Sequence, residues 1–167
     1  MKELELTNTM RILNKYGKLL VESYRNELSE KNINASNNLS NKTKYIITPS
    51  DLEWTLSIEL PYYWKYVEEG IKPDGRYNNP GRKAFPFILK WTTTKGLQPK
   101  SGETREQMSW KIVSKIMKEG IKGRFPLTNT IKDVLDNQFE EELNKALTED
   151  FRSAFDEIII TIEKNIV

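Results

Sequence analysis

YYWKYVEEGIKPDGRYNNPGRKAFPFILKWTTTKG, residues 62–96, is the stretch around which the chain is organised. It opens with aromatic residues and two carboxylates, which predicts a short helix from Tyr62 to Glu69. Gly70 stops that helix, because a glycine just past a helix takes the left-handed conformation that other residues resist. Pro73, Gly75, Pro80 and Gly81 follow, and Lys72, Arg76, Arg82 and Lys83 stand against the single acid Asp74. This composition predicts a basic loop that is neither helix nor inner strand. A second helix is expected to begin at Pro86, whose fixed φ suits a first helical turn, to carry Phe87, Ile88, Leu89 and Trp91, and to end at Gly96. Two aromatic-rich helices clamping a basic loop read as a presented surface.

Upstream, Leu6, Met10, Leu13, Gly17, Leu20 and Tyr24 recur in steps of four and three, with Ile12, Tyr16 and Leu19 beside them. That spacing predicts one long amphipathic helix from about Glu3 to Glu30. Gly17 inside it costs about 1 kcal/mol relative to alanine, which points to a close contact or a bend. KNINASNNLSNK, residues 31–42, reads as loop or turn, because asparagine and serine side chains compete for backbone hydrogen bonds. Lys44–Thr48 reads as a strand, turned by Pro49, Ser50 and Asp51. From Leu52 to Leu60 apolar and polar residues alternate strictly, the mark of a half-buried antiparallel strand. A hairpin over about 43–60 is expected, its apolar face on the helices.

Downstream, a break at Gln98–Gly102 precedes a helix over Glu103–Glu119, with Met108, Ile112, Val113, Ile116 and Met117 inward and Lys111, Lys115 and Lys118 outward. IKGRFPL then turns the chain, with Phe125 and Leu127 as a small plug into the core. An acidic helix runs over about 128–166, interrupted near Thr148. Ile131, Leu135, Phe139, Leu143, Leu147, Phe151, Phe155, Ile158 and Ile162 are read as one face. Residues 157–162 are open between helix and strand, since β-branched residues suit either. The fold class expected is α+β: a mostly helical single domain over 1–167, its long terminal helices packed on a small antiparallel sheet.

The chain has no histidine and no cysteine. Thiol nucleophiles, histidine dyads and triads, and zinc sites built on those residues are therefore excluded. No Walker lysine loop, GxGxxG or DxDxDG loop is present. No cofactor or metal is expected. No purely apolar run exceeds three residues, the length of Ile158–Ile160, so no membrane partner is expected, and MKELEL lacks the apolar stretch of a signal peptide. Synthesis in a reducing cytosol follows as the expectation.

Charge is distributed unevenly. Residues 71–132 hold 14 basic and 4 acidic side chains, and 133–167 hold 3 and 10. The basic block suits nucleic acid, or the acidic tail of a neighbouring copy in a head-to-tail ring, or pairing of two solvated faces within one chain.

The order of segments carries a resemblance. A long amphipathic helix, ASNNLSNK and a short hairpin, YYWKYVEEGIKPDGR, PFILKWTTTKGL, a helix leading to IMKEGIKGRFPL and an acidic helix together resemble the gene-product-ten-like neck and tail-completion proteins of tailed bacteriophages. The matching positions are Ala35–Leu39, Tyr66–Pro73, Pro86–Gly96 and Gly120–Leu127. The loop between Pro73 and Pro86 is longer than the family's compact proline-glycine turn. The resemblance implies a structural virion protein without catalytic activity, assembled in the host bacterial cytoplasm. Several copies would form a ring at the head–tail junction, touching portal, connector or tail proteins, with non-specific contact to the DNA passing through if the lumen is basic. On that basis Lys72, Arg76, Arg82 and Lys83 are expected to face carboxylates among Asp133–Glu163 of a neighbour, with Trp64, Phe85 and Phe87 as anchors.

Two other classes compete. A nucleic-acid-binding module would use the basic segment 71–132 with Tyr77, Phe85 and Trp91 interleaved. A carboxylate enzyme would draw on Glu68, Glu69 and Asp74, but the acid-x-lysine that such a nuclease motif needs downstream is misplaced in EGIK, residues 119–122.

Overall fold

Apolar residues at helical spacing build the first long element, α1 (Thr7–Glu30), and bury Ile12, Leu13, Tyr16, Leu20, Val21 and Tyr24 along one side. The computed structural model describes residues 6–33, 37–50, 53–73 and 80–166, with the backbone alone at 80–83, 158 and 160–166. The helix thus starts later than the sequence pattern suggests, residues 3–5 lying outside the described ones. Leu19, grouped with the buried stripe by spacing, faces solvent. The described elements form a mostly helical α+β arrangement. They gather into two compact units, one of Met1–Arg25, Thr43–Glu59 and Asn129–Val167, the other of Asn26–Lys42 and Leu60–Thr128.

In the first unit, β1 (Lys44–Pro49) and β2 (Trp54–Glu59) pair antiparallel, in register from Lys44↔Glu59 to Pro49↔Trp54. This is the expected hairpin. Trp54, Leu56 and Ile58 are half-buried while Thr55, Ser57 and Glu59 are exposed, as period-two alternation requires. Asp51 and Leu52 lie outside the described residues. Tyr45 of β1 explains Gly17: a Cβ there would stand 2.5 Å from the Tyr45 ring. The glycine marks a close approach of strand to helix, and the Tyr45 hydroxyl donates to Asn14 Oδ1 at 3.1 Å to hold the ring in place.

The acidic C-terminal pattern forms two helices, α6 (Pro126–Val134) and α7 (Asn137–Ile166). The expected break near Thr148 is absent; the chain breaks instead at Leu135–Asp136, where Asp136 Oδ1 accepts from the Gln138 backbone N–H at 3.0 Å and starts the next helix. Residues 157–162 are helical. Among the described side chains of α7, those of its first half cover the core. Val134, Leu135, Phe139 and Leu143 pack on Ile12, Tyr16 and Ala146, and Tyr16 meets Phe139 edge-on at 4.7 Å. Contacts pair Tyr16 with Phe139 and Thr9 with Asp150, so α1 and this half of α7 run antiparallel. Beyond Leu147 the row leaves the core: Phe151, Phe155 and Ile159 are 49%, 64% and 52% exposed. The single face read from the sequence is corrected here at Phe151 and Phe155; the side chains of Ile158 and Ile162, the last two of that row, lie outside the described ones, and exposed Ile159 was not among its members. At 3.6 residues per turn each step of four advances about 40°, so five such steps carry a row from Phe139 to Ile159 more than halfway round the helix.

The second unit departs more from expectation. The segment 31–42 is not loop throughout, since α2 (Asn38–Lys42) forms there and buries Leu39. Next comes α3 (Trp64–Glu68), shorter than Tyr62–Glu69. Gly70 does more than stop it: at φ 79° it opens β3 (Gly70–Ile71), which pairs antiparallel with β4 (Ile121–Lys122). Any Cβ on Gly70 would strike the Ile121 carbonyl.

The second aromatic helix, α4 (Pro80–Thr94), begins at Pro80 rather than Pro86. The loop expected to reach Pro86 therefore ends six residues sooner; within it, residues 74–79 lie outside the described ones. Either proline suits a first helical position. Pro86 sits inside the helix on its exposed side, where the missing N–H leaves one ladder bond unmade. The far end is as expected: Leu97 N–H donates to the Thr92 carbonyl and Gly96 N–H to that of Thr93, both at 3.0 Å, which is a Schellman motif. Thr104 and Gln107 form a capping box for α5 (Arg105–Glu119). Of the expected plug, Leu127 is half-buried but Phe125 is not. Phe125, at φ 49°, turns its ring outward while Pro126 is fully buried.

Candidate interaction surface

A buried carboxylate fixes the base of the second unit. Glu68, 5% exposed, accepts from the backbone N–H groups of Leu127 and Thr128, both at 2.9 Å. These are the second and third residues of α6, whose preceding residue, Phe125, has no oxygen with which to cap it. Arg124 donates to the Lys31 carbonyl at 2.9 Å, and Asn38 Nδ2 donates to the Tyr63 hydroxyl at 3.0 Å, tying α1's end and α2 to the same frame.

The paired helices α4 and α5 rest on a polar contact in an otherwise apolar seam. The Thr92 and Ser109 hydroxyls, both fully buried, share a hydrogen bond at 3.2 Å. Phe85 stacks on Trp110 with centroids 4.4 Å apart and rings 13° from parallel. The Arg105 guanidinium donates to the Leu97 carbonyl at 2.8 Å and to that of Thr92 at 3.2 Å, closing the connection between the helices. Phe85, Ile88, Leu89 and Thr92 share the inward face of α4, which leaves Phe87, Lys90, Trp91 and Thr94 together on the outward one. Phe87 is 67% and Trp91 38% exposed.

At the start of α5 an open recess of about 540 Å³ is lined by Lys100, Gly102, Glu103, Gln107, Trp110 and Lys111. Glu103 is ion-paired to Lys111 at 2.8 Å. The hydrogen bond from Lys111 holds its carboxyl below the usual carboxylate range, against the opposing effect of burial. The recess thus holds the Glu103–Lys111 charge pair beside an aromatic wall.

Of the residues singled out by sequence, Phe87 lies open on the surface. Phe85 is half-buried in the Trp110 stack, and Trp64, half-buried, stands at the start of α3. Lys72 is exposed just after β3. Arg82 and Lys83 lie in the first turn and a half of α4, their side chains outside the description, and Arg76 lies outside the described residues. Trp110 was not foreseen as a surface residue. Its signal was the spacing Glu106–Trp110, opposite the inward Ser109–Val113 pair on α5.

The chain matches no family model, no curated protein and no solved structure. Its own surfaces therefore carry the functional argument. Among the described residues no group of three or more acids could hold a metal ion, and no helix is long and apolar enough to cross a membrane.

The other unit carries the acidic counterpart. On α7, Glu142 takes Lys15 at 2.6 Å, which lowers the carboxyl pKa and raises that of the amine. Further along, the exposed row Phe151, Phe155 and Ile159 runs beside exposed Glu149 and Asp156. Large apolar side chains aligned in the open, rather than scattered singly, mark an interaction surface.

Proposed function

We propose that this chain is a structural virion protein of a tailed bacteriophage, a neck or tail-completion subunit repeated in a ring at the head–tail junction, with no reaction to catalyse. The observation that carries the reading is the pairing of exposed aromatic surface with segregated charge. Phe87 and Trp91 stand open within the basic block, and Phe151, Phe155 and Ile159 stand open on the acidic helix. A subunit that repeats head-to-tail needs two different, complementary surfaces on one chain. Apolar anchors supply affinity, and opposite charges set register and encounter rate. Within this reading the subunit is made in the host cytoplasm and ends in the virion, against portal, connector or tail proteins.

The test is incorporation. Changing Arg82 and Lys83 together to glutamate reverses charge at the start of α4. Particles assembled with this variant should lack it and fail to join heads to tails, while the isolated chain melts like the wild type. Normal incorporation contradicts the reading.

A second reading has an observation of its own. Phe87 and Trp91 are exposed on α4 with Lys90, and Trp110 is exposed on α5 with Lys115; open aromatics alternating with cations along one segment suit stacking on single-stranded nucleic acid. Tight, salt-sensitive binding of single-stranded DNA by the isolated chain, lost in Trp91→Ala, would favour it; the two readings meet if the lumen of the ring is basic.

A further inference from the structure

We infer that the exposed row Phe151–Phe155–Ile159 of α7 docks on the Phe87–Trp91 face of α4 in a second copy of this chain. The inference rests on the ring reading and names the two surfaces that would join one subunit to the next.

Three features point to this occupant. The first is shape. Both rows are formed by residues four apart, and such ridges on two helices interdigitate in the commonest mode of helix packing. Phe87 and Trp91 offer two aromatic projections on α4, and the three residues of α7 offer the gaps between successive turns. The second is charge. The α7 row runs beside exposed Glu149 and Asp156, with exposed Glu140 and Glu141 further up the helix and exposed Lys145 and Arg152 among them, so the helix is acidic in balance; α4 carries Arg82, Lys83 and Lys90 and no acid. Two α7 helices meeting each other would set acid against acid. Two α4 faces would set lysine against lysine. Only the mixed pairing sets an acidic helix against a basic one.

The third feature is independence from the fold. The α7 row has left the core by the winding described above, and Phe87 and Trp91 face away from the Thr92–Ser109 seam. Each surface is therefore complete in a single chain and free to meet its complement. Because donor and acceptor differ, the contact is heterologous, and every added subunit leaves one of each surface open until a ring closes.

Mixing variants tests this. Phe155→Glu disables the donor and Phe87→Glu the acceptor, and both changes are at exposed positions. By light scattering across a concentration series, the wild-type chain should exceed its 19.6 kDa monomer mass. Each variant alone should stay monomeric, its self-association weakened about thirty-fold or more, as for loss of a central anchor. An equimolar mixture of the two should give a species of twice the monomer mass and nothing larger, since only one competent pair of surfaces is left. That restoration also proves both variants folded.

A wild-type chain that stays monomeric throughout overturns the inference. So does assembly of Phe87→Glu by itself, which would mean α7 pairs with α7, and so does a mixture of two variants with wild-type melting curves that gives no dimer. These outcomes are distinct from failure of the neck reading: a monomer that still enters particles keeps that reading and drops this contact, and a chain that assembles by this contact yet never enters particles does the reverse.

Discussion

Asp150 caps α1 across nearly the whole length of the chain: its Oδ2 accepts from the Thr9 backbone N–H at 2.8 Å and from the Thr9 hydroxyl at 2.7 Å. Its Oδ1 takes Asn8 in the same way, from the backbone at 3.0 Å and from Nδ2 at 2.9 Å. Asn8 and Thr9 are the second and third residues of α1, the ones an N-cap side chain normally serves. Leu6, which precedes the helix, has no such side chain, and the first turn contains no acid. Glu68 serves α6 by the same geometry. In both units a buried carboxylate from a distant helix does what the local sequence leaves undone, and it satisfies orphan donors while bringing negative charge to the positive end of a helix dipole.

Asp150→Ala should destabilise the chain by about 2 kcal/mol, the cost of stranding buried donors, and lower the melting temperature by roughly 4–8 °C for a protein of this size. Asp156→Ala, an exposed acid on the same helix, should change stability by no more than about 0.5 kcal/mol. Urea unfolding of the two variants side by side measures the difference, and equal midpoints would strip the cap of an energetic role.

Acid should expose the same cap. Burial raises the Asp150 carboxyl, but the hydrogen bonds from Thr9 and Asn8 outweigh it and hold its pKa below the ordinary aspartate value. A carboxyl depressed in the folded state stabilises above its unfolded pKa of about 3.9 and loses that contribution as pH falls through the folded value. Urea midpoints followed from neutral pH down through this range should fall more steeply for the wild type than for Asp150→Ala.

Gly17→Ala should destabilise although alanine is the better helix former. The helical gain is about 1 kcal/mol; displacing the Tyr45 ring, anchored through Asn14, costs about 1–3 kcal/mol as overpacking does. A melting temperature above wild type would mean that the ring swings away freely. Tyr45→Ala in the same background should recover much of the loss if the clash is its source.

The winding of α7 predicts opposite responses from two phenylalanines of one row. Phe139→Ala removes a ring packed on Tyr16 and should cost about 2 kcal/mol or more. Phe155→Ala, at an exposed position, should shift stability by no more than about 0.5 kcal/mol. Chemical denaturation of both variants checks this, and comparable losses would place Phe155 in a core.

What was legible in the sequence was what short-range chemistry controls. Strict alternation in Trp54–Glu59 marked the strand, Gly96 marked the end of α4, and the apolar stripe of α1 marked its buried side. The start of α4 was misread because Pro80 and Pro86 both satisfy the rule for a first helical residue, and local sequence does not rank them. The single face assigned to α7 failed because steps of four resemble a stripe over two turns and wind off it over five. The two carboxylate caps had no local signal at all: Asp150 lies 141 residues from Thr9, and Glu68 lies 59 from Leu127. Of the surface, Phe87 was legible. Its partner Trp91 was placed on the right helix but read as an interleaved aromatic, since which face of α4 turns outward is set by the Thr92–Ser109 seam with α5, a contact without a local signal.

The Asp150 cap also sets an order of events during synthesis. The helix and its cap are 141 residues apart, so α1 keeps its leading N–H groups on water until the segment around Asp150 has been made and has folded back onto it. A chain cut short before residue 150 carries the whole of α1 and still leaves those donors uncapped.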